Sequence, residues 1–226
     1  MKLSHQQSTK YKLVIFDFDG TIADTSPGIL DAHRFALQAM SRQVPCEAEL
    51  RKVIGGNLLK TYVSTFGFEE AMARKAVQIY RARYAQAGIH MAHLYPGFTE
   101  LLKELKGLDC KIGVATLKAE SFAKTMLFEL GIDGYFDSVC GMDAQDGLSK
   151  SELVLRCCSL CGVDQTDAVL IGDSNNDWIG SQEARVDFIG VTYGFGFVRE
   201  KSYCFETAET TDEVLALIRE GNNEGN

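Results

Sequence analysis

The sequence predicts an α/β protein: a doubly wound, Rossmann-like parallel sheet with a small all-helical domain inserted after the first strand. Two observations lead to this fold class. Short apolar runs alternate with amphipathic helical patterns along most of the 226 residues, as in consecutive βαβ units. The alternation stops between residues 26 and 94, where helical spacing repeats without a convincing strand.

The predicted strands are short apolar runs, and the first of them is apolar throughout, as strands buried on both faces are. They cover residues 12–16, 110–115, 136–140, 168–171 and 188–191, with a further short strand at 203–205. Helical patterns lie between them at residues 99–105, 119–130, 150–160, 178–184 and 211–219. Ser149 and Glu152 have the spacing of a capping box, which predicts a helix start at Lys150.

The interrupted segment contains three runs of helical spacing, beginning near Ile29, Leu58 and Met72. Such runs with short breaks between them predict a small bundle of helices. The segment is much longer than a crossover connection needs. We therefore expect an α/β core at residues 1–25 and 95–226, and a helical cap at residues 26–94 that lies over one edge of the sheet.

The overall composition narrows the class of function. The net charge is −8 and no basic cluster is present, so nucleic acid and anionic membranes are poor candidates for partners. No apolar stretch is long enough to span a bilayer, and the polar N-terminal segment does not have the pattern of a secretory signal. The seven cysteines then suggest reduced thiols and a cytoplasmic location, with Cys157, Cys158 and Cys161 packed in the core.

The most informative motif is Asp17-Phe18-Asp19-Gly20-Thr21, directly after the first predicted strand. Ligands of α/β sheets bind beyond the carboxyl ends of the strands, which is where these two carboxylates stand. One of them can bind a cation and attack an electrophile, while the other transfers a proton. The motif predicts a catalytic site at this edge of the sheet.

Three further pieces follow in the chain. Thr116 ends the second core strand, where its hydroxyl and the start of the next helix could hold an anion. Lys150 stands at a helix start, an unfavourable place for a cation unless an anion arrives. Asp173 and Asp177 follow another apolar strand with a spacing suited to Mg²⁺, which prefers oxygen ligands. Lys118 is compatible with either a site or a solvated position.

Together these motifs resemble those of the haloacid dehalogenase-like superfamily, and the insert resembles the cap of its phosphoglycolate phosphatase-like subclass. The resemblance covers nearly the whole chain, although Ser151 replaces the proline that often follows the lysine. It implies that Asp17 is the nucleophile and that Asp19 is the acid and base. It also implies that Mg²⁺ is held by Asp17, the carbonyl of Asp19, Asp173 and Asp177. The phosphate contacts that it implies are Thr116, Lys150, Phe18 and Gly20.

The expected function is therefore Mg²⁺-dependent hydrolysis of a small phosphorylated metabolite through an aspartyl-phosphate, with phosphoglycolate as one candidate. A β-phosphoglucomutase-like phosphomutase, a 5′-nucleotidase and a pyrophosphatase remain alternatives, whereas Asp19 argues against a dehalogenase and against a non-catalytic relic of the fold. The loop Gly194–Gly196 is expected to turn the chain, with a position at the edge of the site as the alternative. Oligomeric state is not predicted. Specificity is expected from cap residues, with candidates Arg51, Lys52, Asn57 and Lys60.

Overall fold

The computed structural model describes residues 9–143, 147–199 and 201–220. The strands are β1 (Leu13–Phe16), β2 (Ala23–Asp24), β3 (His93–Leu94), β4 (Lys111–Ala119), β5 (Ser138–Met142), β6 (Ala168–Gly172), β7 (Asp187–Val191) and β8 (Glu206–Ala208). The α-helices are α1 (Ser26–Ala39), α2 (Glu47–Arg51), α3 (Leu58–Lys60), α4 (Glu70–Gln86), α5 (Phe98–Gly107), α6 (Glu120–Glu129), α7 (Lys150–Cys161), α8 (Asn175–Ala184) and α9 (Thr211–Glu220). No described helix has the length and apolar character required to cross a membrane.

In the described part of the chain, six strands form one parallel sheet in the order β5-β4-β1-β6-β7-β8. The chain proceeds from the central strand β1 to one side and later returns to build the other side. Strand β1 is therefore flanked by β4 and β6, and the order reverses next to it. In doubly wound sheets the ligand site lies at the carboxyl ends of the strands beside such a reversal.

Both faces of the sheet are covered by helices, and the alternation within β1 shows this directly. Val14 and Phe16 belong to a hydrophobic cluster that includes residues of α1, α5, α6 and α9. Leu13 and Ile15 belong to a second cluster, on the opposite face, with residues of α7. All four side chains are fully buried, which explains why the first strand is apolar throughout.

Residues between β2 and β3 form helices α1 to α4, a π-helical turn at Thr61–Thr65 and a 3₁₀ turn at Gly88–Met91. Strands β2 and β3 pair antiparallel, with Asp24 opposite His93, so the two ends of the helical segment lie side by side. Aromatic side chains fill the interior of the segment, among them His33, Tyr62 and Tyr80. The predicted fold class is confirmed, while the predicted domain boundaries stay a prediction.

Several element boundaries differ from the sequence prediction. The strand predicted at residues 203–205 is wrong, because the pairing with β7 is made three residues later by β8. The segment predicted to lack strands contains β3. The second core strand was predicted to end at Ala115, but β4 continues through an irregular pairing to Ala119, and the helix begins only at Glu120.

Candidate active site

Asp17 and Asp19 lie at the carboxyl end of β1, at the centre of the sheet. The backbone N–H of Asp17 still donates to Ile171 O at 2.9 Å, so the strand pairing holds this residue in place. The chain then turns at Gly20, whose φ of +85° favours glycine. A Cβ at Gly20 would lie 2.2 Å from Asp173 Oδ2, so the absence of a side chain lets the turn approach that carboxylate. Both aspartates are buried.

Asp173 directly follows β6, the strand next to β1. Its Oδ2 accepts a hydrogen bond of 2.6 Å from the backbone N–H of Phe195. The loop at Gly194–Gly196 therefore contacts a carboxylate of the site, which agrees with the alternative of a loop at the site edge. A Cβ at Gly194 would lie 2.5 Å from Asp173 Oδ2, which explains why glycine stands there.

Asp177 lies in the first turn of α8, where it completes a capping box with Ser174. Its Oδ2 accepts hydrogen bonds from the backbone N–H of Ser174 at 3.0 Å and from the hydroxyl at 2.6 Å. These bonds leave Oδ1 to face the neighbouring charged groups. Helix capping thus orients a carboxylate toward the end of the sheet, and the same residue that stabilises the helix supplies charge to the site.

Lys150 opens α7, and the capping box predicted from Ser149 and Glu152 is present. The buried ammonium group lies 2.6 Å from Asp17 Oδ1 and 2.6 Å from Asp177 Oδ1. Burial alone would lower the pKa of Lys150, but the two carboxylates raise it above its usual value, so the side chain stays protonated. Its position between these carboxylates accounts for a cation at a helix N-terminus.

The carboxylate oxygens of Asp17, Asp173 and Asp177 lie within 4.8 Å of one another. Burial raises the pKa of Asp17 to about 7, because the attraction of Lys150 only partly offsets desolvation and the repulsion of Asp177 and Asp19. Burial, followed by the charges of Asp177 and Asp17, raises the pKa of Asp173 as well. A group of buried, mutually repelling oxygen ligands fits a hard divalent cation such as Mg²⁺.

Thr116 and Lys118 lie on the last part of β4, next to β1. Thr116 is buried, and its hydroxyl oxygen accepts a hydrogen bond of 3.2 Å from the backbone N–H of Lys118. The predicted helix start directly after Thr116 is wrong, since the strand continues. Lys118 is buried as well, with its Nζ 3.0 Å from Asp19 Oδ1. A solvated position for Lys118 is therefore excluded.

An open cavity lies above these groups. The sheet contributes its floor, including Asp17, Asp19, Thr116 and Lys150, whereas the helical segment contributes its opposite side. That side is formed by Ile29, His33, Val53, Gly55, Gly56, Asn57, Leu58, Tyr80, Arg81 and Tyr84. The cavity is thus charged at the sheet and largely apolar and aromatic toward the helices.

The structure brings most of the predicted site residues together. Asp17, Asp19, Thr116, Lys150 and Asp177 all line the cavity, and Asp173 contacts the turn at Gly20 from behind. Phe18 is fully buried, its ring packs in the core, and neither it nor Gly20 is among the residues that line the cavity.

Fewer of the residues predicted to determine specificity line the cavity than of the site residues predicted at the sheet. Of the four, only Asn57 lines the cavity, and Arg51 is paired instead with Glu47. Sequence reasoning missed Tyr84, His33 and Arg81, which do line it. Their helical spacing is the same as that of ordinary core positions, so the pattern gave no signal.

The order of the motifs along the chain and the arrangement of the carboxylates match those of a known enzyme family. The sequence family described as haloacid dehalogenase-like hydrolase matches residues 14–191. The chain belongs to this family. The match begins in β1 and ends with β7, so it contains both aspartate pairs, Thr116, Lys150 and the helical segment. The family resemblance proposed from the sequence motifs is confirmed.

Curated relatives in this family carry several names. A protein named 5′-nucleotidase from Pseudomonas aeruginosa is 34% identical over 83% of this chain and 85% of its own. A protein named tyrosine-protein kinase PtkA from Mycobacterium tuberculosis is 32% identical over 92% of this chain and 72% of its own. A phosphoglycolate phosphatase from Vibrio parahaemolyticus is 28% identical over 81% and 85%.

Among solved structures, one described as a predicted phosphatase from Clostridium acetobutylicum superposes with a TM-score of 0.87. It is 30% identical, and the match covers 93% of this chain and 99% of that one. The fold is therefore shared over nearly the whole length. The expectation that the chain is a phosphatase-type hydrolase of this family is confirmed.

Proposed function

We propose that the chain is a Mg²⁺-dependent phosphatase that hydrolyses a small phosphate monoester through an aspartyl-phosphate on Asp17. The observation that carries the proposal is the convergence of Asp17, Asp19, Asp177 and Lys150 at the floor of one open cavity, with Asp173 grouped against Asp17 and Asp177. This set supplies a nucleophile, a cation site and fixed positive charge. Those are the components that phosphoryl transfer requires.

In the first half-reaction, a carboxylate oxygen of Asp17 forms a bond to phosphorus while the bond between phosphorus and the leaving oxygen breaks. Asp19 gives its proton to that leaving oxygen, and the alcohol departs. In the second half-reaction a water molecule attacks the same phosphorus, and Asp19 takes a proton from the water. The bond between phosphorus and the Asp17 oxygen breaks, which releases inorganic phosphate and regenerates the Asp17 carboxylate. Covalent catalysis thus divides one difficult displacement into two easier ones.

Asp17, Asp173, Asp177 and the backbone carbonyl of Asp19 would hold Mg²⁺. When bound, the cation stabilises the charge of the transferring phosphoryl group. Lys150 favours the ionised form of Asp17, and Thr116 together with the backbone from Phe18 to Gly20 would contact the phosphoryl oxygens.

We propose residues 26–94 as a cap that supplies the substrate-facing side of the cavity. The paired strands β2 and β3 support this division, because they bring the ends of the helical segment together at the edge of the core. Phosphoglycolate is our first candidate substrate. The aromatic side of the cavity favours testing nucleoside monophosphates beside phosphoglycolate, since an aromatic side chain can stack on a base. The cytoplasmic location stays a prediction.

The test is release of inorganic phosphate from a panel of monoesters, with phosphoglycolate, nucleoside monophosphates and hexose phosphates, and with pyrophosphate added. Each is measured with Mg²⁺ and with EDTA, for the wild type and for Asp17→Asn. Asp133→Asn is the matched control, because Asp133 is exposed and remote in the chain from every site residue. We expect Mg²⁺-dependent release that Asp17→Asn abolishes and that the control retains.

Two results would contradict the proposal. The first is phosphate release that persists in EDTA or in Asp17→Asn. The second is a lack of release from every member of the panel while a hexose phosphate is converted to its isomer, which would favour the phosphomutase. Trapping of phosphate on Asp17, read by the mass of the acid-quenched protein, separates a covalent route from direct attack by water.

A further inference from the structure

Lys118 is a second buried lysine of the site, and the family resemblance assigned it no role. Its side chain is only 5% exposed. The Nζ lies 3.0 Å from Asp19 Oδ1 and donates a hydrogen bond of 2.8 Å to the hydroxyl of Tyr84. It also lies 4.5 Å from the centre of the Tyr84 ring. Burial of a lysine is costly unless its charge is compensated, and here the Asp19 carboxylate compensates it.

The hydrogen bonds of Asp19 are made on one side of its carboxylate. Oδ1 accepts from Thr25 Oγ1 at 2.5 Å and faces Lys118 Nζ at 3.0 Å. Within residues 9–143, 147–199 and 201–220, no hydrogen bond reaches Oδ2. One hydrogen bond and one ion pair on the same oxygen restrict the rotation of the carboxylate and leave the other oxygen for a proton.

Each aspartate of the first motif therefore has its own lysine. Lys150 bonds Asp17, the proposed nucleophile, and Lys118 pairs with Asp19, the proposed acid and base. Lys118 is itself held from the other side by Tyr84, which lies on α4 of the helical segment. Tyr84 is 1% exposed, and its hydroxyl also contacts Met126 Sδ at 3.6 Å, so its position is fixed by packing.

We propose that Lys118 is a positioning residue: held by Tyr84, it orients the Asp19 carboxylate so that Oδ2 faces the leaving oxygen of the substrate. The inference rests on the proposed function, because it assigns Lys118 to the proton-transfer half of that reaction. Loss of Lys118 leaves the Asp19 carboxylate with the hydrogen bond from Thr25 alone, so its orientation is less well defined. Proton transfer then becomes slower, whereas attack by Asp17 is unaffected.

The test compares Lys118→Met with the wild type on two substrates that differ in their need for a proton. One is p-nitrophenyl phosphate, whose leaving group departs readily as an anion, and the other is the best alkyl monoester from the panel above. We expect kcat/KM for the alkyl ester to fall about 10- to 100-fold, the effect of misplacing a catalytic group. The loss on p-nitrophenyl phosphate should be about tenfold smaller, since it requires little general acid catalysis.

Two further variants accompany this comparison. Tyr84→Phe removes only the hydroxyl and keeps the ring, so we expect the same selectivity with a loss of about 2- to 10-fold, the worth of one hydrogen bond. This variant keeps the proposal testable if Lys118→Met does not fold. Lys124→Met is the control, because Lys124 is exposed and pairs with Glu120 on α6. The rise in Tm on addition of Mg²⁺ should persist in all three variants.

An equal loss on both substrates overturns the proposal, as does unchanged kcat/KM in Lys118→Met. A raised KM with unchanged kcat on both substrates also overturns it, because Lys118 would then bind the substrate. These outcomes all require an active wild type. Failure of the proposed function is different, since the wild type itself would then release no phosphate, and the role of Lys118 would fail with it.

Discussion

Replacement of Asp17 by asparagine should make the metal-free protein more stable while it abolishes catalysis. Asp17 is buried at the end of β1, and burial raises its pKa to about 7, with further repulsion from Asp177 and Asp19 and partial compensation by Lys150. At pH 8 Asp17 is therefore ionised in both states, but its charge is buried in the folded protein and hydrated in the unfolded chain. Asparagine has nearly the same shape and no charge.

The size and sign of the effect follow from the two pKa values of Asp17. The ordinary value is 3.8 and the folded value is about 7. Each unit corresponds to about 1.4 kcal/mol, so the penalty above pH 7 approaches roughly 4 kcal/mol. Because the folded state retains the proton between about pH 4 and pH 7, wild-type stability falls as the pH rises through this window. Asp17→Asn also removes one of the two carboxylate partners of Lys150. This loss reduces the expected gain in the free energy of unfolding to about 2–4 kcal/mol.

Urea unfolding in EDTA at pH 4.5, 6 and 8 measures this difference for the wild type, Asp17→Asn and the control Asp133→Asn. We expect the variant and the wild type to be close at pH 4.5 and to separate progressively toward pH 8. Mg²⁺ should reduce or reverse the gap, since a cation at 100 times its Kd stabilises the wild type by about 2.7 kcal/mol. Equal or lower stability of Asp17→Asn at pH 8 in EDTA would refute the reasoning.

Two further predictions concern the helical segment and the turn at the metal site. Burial lowers the pKa of His33 to about 4, so wild-type stability should fall by roughly 3 kcal/mol as the pH drops from 6.5 to 4. Urea unfolding of His33→Gln should lack this component, and parallel pH profiles would contradict the prediction. Gly20→Ala places a Cβ 2.2 Å from Asp173 Oδ2 and strains a φ of +85°, so both phosphate release and Mg²⁺-induced stabilisation should be lost. Gly134→Ala, whose Cβ meets nothing within 4 Å, should keep both, and a Gly20→Ala enzyme with normal Mg²⁺ stabilisation would count against the proposed metal site.

The sheet and its motifs could be predicted because each signal is local. An apolar run followed by Asp17 or Asp173 indicates a strand end without knowledge of any partner. The capping box at Ser149 likewise placed the start of α7 correctly. Parallel strands bring such ends to one edge, so the residues meet although they are far apart in the chain.

The remaining features depend on pairing and packing that sequence patterns do not encode. Strand β8 lies three residues beyond its prediction because register against β7, and not local hydrophobicity, sets its position. The burial of Lys118 was left open because an isolated lysine after a strand is usually solvated, and only the proximity of Asp19 and Tyr84 makes its burial possible. The same holds for Phe195, whose contribution is a backbone N–H that no side-chain pattern marks.

The pairing of Asp24 with His93 means that the helical segment leaves the core and returns to it at nearly one point. The two ends of the segment lie as close together as the ends of a tight loop. The sheet can therefore accommodate a segment of different length or internal structure. Mutation, lengthening or exchange of the segment can thus change what enters the cavity without disturbing the register of β1, β4 and β6. Under the proposed division into core and cap, catalytic chemistry and substrate choice reside on separable pieces of the chain, so one can change while the other is kept.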